Sequence, residues 1–175
     1  MPDLISSIST REFNPEDVKP IIDTSEINNY ITFDTVTLDG EKINSSVFGE
    51  YDLTMVNFWG TYALDKSNEQ AVLQEVYEQC QNLEGKKVNV INAIVDTPNA
   101  ETEGIVKQLK EEAGGKFTTL VMDDVLANWT VENLEGVPTT VFVNPEGKII
   151  SEQLKGAKSA DSYMEKIEYY LEEEK

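Results

Sequence analysis

Side chains able to do covalent or acid-base chemistry are scarce in this sequence. Cys80 is its only cysteine, and it has no histidine. A single thiol closes no intrachain disulfide, and without imidazole both Cys/His zinc sites and histidine-based triads are excluded. A thiol attacks only as thiolate, which a helix N-terminus or a neighbouring cation has to stabilise. Cys80 instead continues the series Leu73, Val76 and Tyr77 at helical spacing, the stripe of an amphipathic helix turned toward a core, so it is expected to be buried and inert. Lys66 could serve as an amine nucleophile if desolvated, but no base or carbonyl-recognition motif accompanies it, and Asp65 beside it offsets its charge. Asp123, Asp124 and the tail "EYYLEEEK" lack the further oxygen ligands that a calcium loop places at fixed spacing. The sequence therefore assigns no catalytic residue, no metal and no cofactor.

Composition narrows the function classes further. Fourteen basic against thirty-three acidic residues give a net charge of -19, which repels phosphate backbones and anionic lipid, so nucleic acid is not an expected partner. A chain of 175 residues, 39% of them hydrophobic, can bury one core. No run approaches the roughly 18 apolar residues of a membrane span. Residues 1–30, "MPDLISSISTREFNPEDVKPIIDTSEINNY", are polar, carry three prolines and lack the order of a signal peptide, so they are expected to be a lead-in that could be the remnant of an anchor or linker. Residues 31–175 are expected to form the folded domain.

The elements that would position these side chains follow from periodicity. "YITFDTVTLDGEKINSSVF" alternates apolar and polar residues around Asp39-Gly40, which predicts a β-hairpin. "LTMVNFW" (53–59) is apolar on both faces, as an inner strand must be, and a helix over 65–83 follows at once. "KKVNVINAIVD" (86–96) predicts a second inner strand, parallel to the first because a helix connects them. A helix over 100–113 is capped by Asn99 and stopped by Gly114-Gly115. A strand in "KFTTLVMDD", a short helix in "DVLANWTVENL", an antiparallel hairpin in "PTTVFVNPEGKII" and a final helix with Tyr163, Ile167, Tyr170 and Leu171 on one face complete the chain. This is an α/β domain with a central mixed sheet.

Four segments, "TLDGEKI" followed by "VFGEY", "VNFWGTY", "GVPTTVFVNPEG", and the helical insertion "NAETEGIVKQLKEEAGG", carry a resemblance to a known family. Over residues 31–173 the chain resembles the thioredoxin fold, and within it the TlpA/ResA-like branch of bacterial, extracytoplasmic thiol-disulfide oxidoreductases. That branch has a strand-turn motif FW-x-x-W-C-x-x-C. Phe58 and Trp59 match it, Tyr62 takes the aromatic position, and Ala63 and Lys66 stand where the two cysteines belong. Thiol-disulfide exchange needs a thiolate to attack, and Ala63 offers a methyl group. Cys80 lies four to five helical turns from Ala63, roughly 25 Å away, and cannot replace it.

The resemblance implies more about the surroundings. Pro138 stands at the family's cis-proline, and Val137 before it would present backbone groups to an extended peptide; alternatively Pro138 serves only the packing of the loop. Thr139 completes that segment. Trp59 and Tyr62 would flank the former site, either as exposed aromatics that contact a peptide or as hydrophobic cover for the strand-helix junction. Asn57 stands where minimal thioredoxins keep a buried acid. The function implied is that of a redox-inactive binding module engaging a peptide or protein partner through the two loops. An atypical or partner-dependent redox role and a structural or assembly subunit remain as alternatives. By resemblance alone the location is extracytoplasmic, secreted or lipoprotein-anchored, with membrane contact only through a removed N-terminal anchor.

Overall fold

The computed structural model describes residues 29–63 and 66–173, so most of the predicted lead-in and Asp65 lie outside the described residues. Two seven-residue strands, β3 (Leu53–Trp59) and β4 (Val88–Ile94), are buried along their whole length and pair in parallel, Asn57 facing Asn92. Nearly continuous apolar runs of this kind survive only where both faces of a sheet are covered. β5 (Thr118–Val121) adds in parallel to β4, whereas β6 (Thr139–Val143) is antiparallel to β3 and β7 (Leu154–Lys155) antiparallel to β6. The sheet order is β5-β4-β3-β6-β7. This is the expected mixed sheet flanked by helices.

One face is covered by α1 (Lys66–Gln81) and α4 (Ala160–Glu173), where Leu73, Val76 and Ile167 pack against Met55, Val90 and Phe142. The other holds Val56, Phe58, Ile91 and Val141 against Leu126 of α3 (Asp124–Asn133) and against Phe33 and Phe48 from the N-terminal hairpin region. α2 (Ala100–Glu112) begins as predicted: the Asn99 side chain accepts from the Thr102 amide, and the chain leaves the helix through Gly114 at φ 66°, a conformation open to glycine at little cost.

The hairpin of β1 (Asp34–Val36) and β2 (Lys42–Asn44) turns where Asp39-Gly40 suggested. Thr37 Oγ1 accepts from the amides of Asp39 and Glu41, and Gly40 has φ 91°. Its tip lies along the sheet edge, with the Leu38 amide donating to Thr119 O at 2.9 Å, which shields β5 from further pairing. Asp123, once a cation-ligand candidate, is engaged elsewhere: Oδ1 caps α3 through the Leu126 amide and Oδ2 accepts from the Asp34 amide at 2.7 Å.

The C-terminal hairpin differs from expectation. After the Asn144 turn, β6 pairs with the returning chain only at Val143 and Ile149, and a regular ladder resumes only at β7. Residues 147–149 are drawn to another partner, since the Ile31 amide donates to Gly147 O and the Ile149 amide to Asn29 O. The groups that face β6 do pair with it, the Asn144 amide with Lys148 O and the Ile150 amide with Phe142 O, and the ladder breaks where the Phe142 amide donates to Ser151 Oγ instead. Among the described residues no helix is long and apolar enough to cross a membrane.

Candidate functional site

The end of β3 runs into a turn that the neighbouring chain holds closed. The Ala63 amide donates to Gly60 O at 3.0 Å, the Thr61 hydroxyl donates to Asp96 Oδ2 at 2.5 Å, and the Thr61 amide lies 3.2 Å from the same oxygen. A charged acceptor makes these bonds strong. A Cβ on Gly60 would sit 2.7 Å from Tyr62 Cε1, so any larger residue would need the exposed Tyr62 ring to swing aside. The Tyr62 ring therefore folds over the glycine while remaining 68% exposed.

Trp59 does not join it at the surface. Its side chain is fully buried among Leu38, Ile94 and Val106, with Ala63 and Leu109 against the same cluster. Strand alternation sends Phe58 and Trp59 to opposite faces, and each face is roofed: Phe58 stacks on Trp129 with ring centroids 5.3 Å apart, while the hairpin tip and α2 close over Trp59. Of the two readings of Trp59, the surface contact is thus corrected to interior cover. Thr139 is corrected likewise. It is 1% exposed, its hydroxyl donates to Gly136 O, and its backbone stands between Phe58 of β3 and Lys155 of β7.

Val137 and Pro138 are both half-buried and joined by a cis peptide bond. The pairing of β6 with its neighbours begins only at Thr139, so Val137 lies outside the ladder. Pro138 O accepts from the Gly156 amide at 2.8 Å. Lys66 is the first residue of α1.

No sulfur reaches this place. Cys80 occupies the last turn of α1, is 3% exposed, and has burial pushing its thiol pKa up to about 12. Desolvation disfavours the thiolate, the opposite of what a nucleophile needs.

Beneath the turn lies a buried amide chain whose members other than Asn57 were not anticipated. Gln70 Nε2 donates to Asn92 Oδ1 at 2.9 Å, Asn92 Nδ2 to Asn57 Oδ1 at 3.0 Å, and Asn57 Nδ2 to Thr140 Oγ1 at 2.9 Å. Thr140 in turn hydrogen-bonds Tyr163, whose pKa burial raises even though bonds from Thr140 and the Lys158 amide lower it. The signal was present: "LTMVNFW" carries Asn57 and "VNVINAI" carries Asn89 and Asn92 amid apolar residues, and the parallel register sets Asn57 beside Asn92. Neutral amides thus hold the position of the resemblance's buried acid. A carboxylate is near, as Glu69 lines the small cavity that Asn57 and Tyr163 also line. Among the described residues no group of three or more His, Cys, Asp or Glu side chains could hold a metal ion.

No protein-family model matches the sequence, and no curated protein matches it. Solved structures do. A thiol:disulfide interchange protein from Bacteroides sp. superposes with a TM-score of 0.62 at 18% identity, covering 82% of this chain and 89% of its own. A secreted Mycobacterium tuberculosis disulfide oxidoreductase, homologous to E. coli DsbE, gives 0.62 at 17% identity, with 82% and 98% covered. StoA from Bacillus subtilis gives 0.58 at 18%, with 77% and 94% covered. At such identities the likeness concerns the fold. With one cysteine, and that one in the core, the chain is a thioredoxin-fold protein similar in architecture to thiol-disulfide oxidoreductases and without their cysteine pair.

Proposed function

We propose that this protein is a redox-inactive binding module that takes an extended peptide or protein segment into the groove between the 60–63 turn and the Val137-Pro138 loop. The observation that carries the reading is the state of Val137: it stands outside the β6 ladder, which begins with Thr139 opposite Phe58 at the end of β3, so its backbone is taken to pair with an incoming strand, as in β-augmentation. Tyr62 supplies an aromatic surface of low ordering cost beside it. The acidity of the chain favours a partner with basic residues flanking the bound segment. Extracytoplasmic placement, secreted or lipoprotein-anchored, belongs to the same reading and is supported by the secreted protein among the fold neighbours.

The test has two arms. Insulin reduction by the purified chain should not exceed a buffer blank, with or without Cys80→Ser; turnover would move the function to thiol chemistry, and turnover only with added partner thiols to the partner-dependent form. Selection from a displayed random-peptide library should yield binders that Tyr62→Ala and Val137→Lys weaken by about tenfold or more. Binders indifferent to both changes would place the contact on the acidic helices, as a structural subunit requires.

A further inference from the structure

A second site lies away from that groove. Where the hairpin tip, α2 and the start of β5 meet, a cavity of about 790 Å3 opens to solvent, within the roughly 300–1,000 Å3 of small-molecule sites. Leu38 and Tyr77 give it apolar walls, and Phe117 and Thr119 also line it.

Two polar groups on its lining residues lack a hydrogen-bonding or ionic partner. Lys110 is half-buried, and its stem is fixed: a Cβ on Gly115 would lie 2.6 Å from Lys110 Cγ and 3.0 Å from the Phe117 ring, so only glycine leaves room for it. Its ammonium stands 5.1 Å from the centroid of the Phe117 ring, and no ion pair forms among the described residues. Burial lowers its pKa, with Asp39 partly opposing. Thr119 is 1% exposed, and its hydroxyl has no hydrogen-bond partner among the described residues. A desolvated cation and an orphaned hydroxyl are both disfavoured unless something pairs with them.

The third feature is Gly104, inside α2 and on the cavity wall, where a Cβ would meet nothing within 4 Å. Glycine is a poor choice inside a helix when alanine would fit; here its lack of a side chain keeps the cavity wide. The charged lining balances, Lys107, Lys110 and Lys116 against Asp39, Glu41 and Glu111, in a chain of net charge -19. Those carboxylates oppose a dianion such as phosphate, whereas a single negative charge directed at Lys110 meets less repulsion.

We propose that this cavity binds a small monocarboxylate with an apolar body, the carboxylate held by Lys110 Nζ and the Thr119 hydroxyl and the hydrocarbon laid on Leu38 and Tyr77. The proposal is independent of the groove at Val137. The probe is 3-phenylpropanoate, titrated into the full chain by calorimetry and by amide chemical shifts, with 3-phenylpropylamine and inorganic phosphate as contrasts. Saturable binding at roughly millimolar Kd is expected for the carboxylate only. Lys110→Met, which keeps the stem, should weaken it about tenfold or more, and Gly104→Leu should abolish it by filling the opening; thermal melts establish that each variant is folded, with Lys110→Gln replacing the first if it is not. Absence of saturable binding to the parent chain, unchanged affinity in either folded variant, or tighter binding of phosphate or the amine would overturn the site.

Discussion

The two ends of α1 treat the same chemistry in opposite ways. At its N-terminal end, where the proposed groove would lie, the chain has the exposed Tyr62 and no sulfur; near its C-terminal end it has sulfur and no access. A helix N-terminus lowers a thiol pKa because unsatisfied amides stabilise the thiolate, and a hydrocarbon core raises it because the charge loses its water. Cys80, pushed up to about 12, shows the second environment. Reactivity in this fold belongs to the place more than to the residue.

Putting sulfur back at the accessible end is the most forceful way to break that contrast. In the double variant Ala63→Cys with Lys66→Cys, insulin reduction should rise from the buffer blank to a readily measured rate, and the first thiol should titrate below the ordinary value of 9.0. A double variant that stays inactive while its two thiols are free would mean that the turn held by Asp96 no longer has the geometry for exchange, and that more than sulfur has been lost.

Interior and surface aromatics at the turn offer the next largest difference. Trp59→Ala empties a fully buried site walled by Leu38, Ile94 and Val106, and should cost about 3–5 kcal/mol in denaturant unfolding. Tyr62→Ala removes a ring that is 68% exposed and should stay within about 0.5 kcal/mol. Equal losses in the two would contradict the division between core and groove.

The amide chain sharpens the comparison from below. Asn57→Asp would bury a carboxylate against Asn92 and Thr140, at a cost of roughly 2–4 kcal/mol at neutral pH. Desolvation would raise the folded-state pKa above the unfolded value of about 3.9. The variant's stability relative to the parent should therefore be fully recovered below the unfolded pKa and lost as pH rises through the folded one. A deficit that did not depend on pH would mean that the new carboxylate is hydrated.

How much of this was legible in the sequence follows a physical division. β3 is legible to the residue because burial on both faces leaves a nearly continuous apolar run, and α2 because Asn99 and Gly114 mark its ends with local capping chemistry. Trp59 was left open because the Val106 and Leu38 that cover it come from an inserted helix and a hairpin, whose placement no local pattern encodes. Thr139 was misplaced by its neighbours: Val137 and Pro138 lie before the ladder, and one residue later the chain is interior to it. The link from Asn57 to Asn92 depends on the parallel register, which is a property of two strands together.

The smallest effect tests the buried end of α1 directly. Between the ordinary thiol pKa of 9.0 and the folded value of about 12, the unfolded chain has released the Cys80 proton and the folded chain has kept it. The folded state binds more protons, so stability falls as pH rises, by at most about 1.4 kcal/mol per unit inside that window and not at all below it. Cys80→Ala removes this slope along with the thiol, so the difference between the parent and variant unfolding free energies should shrink from pH 9 toward pH 11. A thiol that reacted with Ellman's reagent in the folded protein at pH 8 as fast as after unfolding would show that the site is wet. The contrast between the two ends of α1 would then rest on the absence of sulfur from the groove alone.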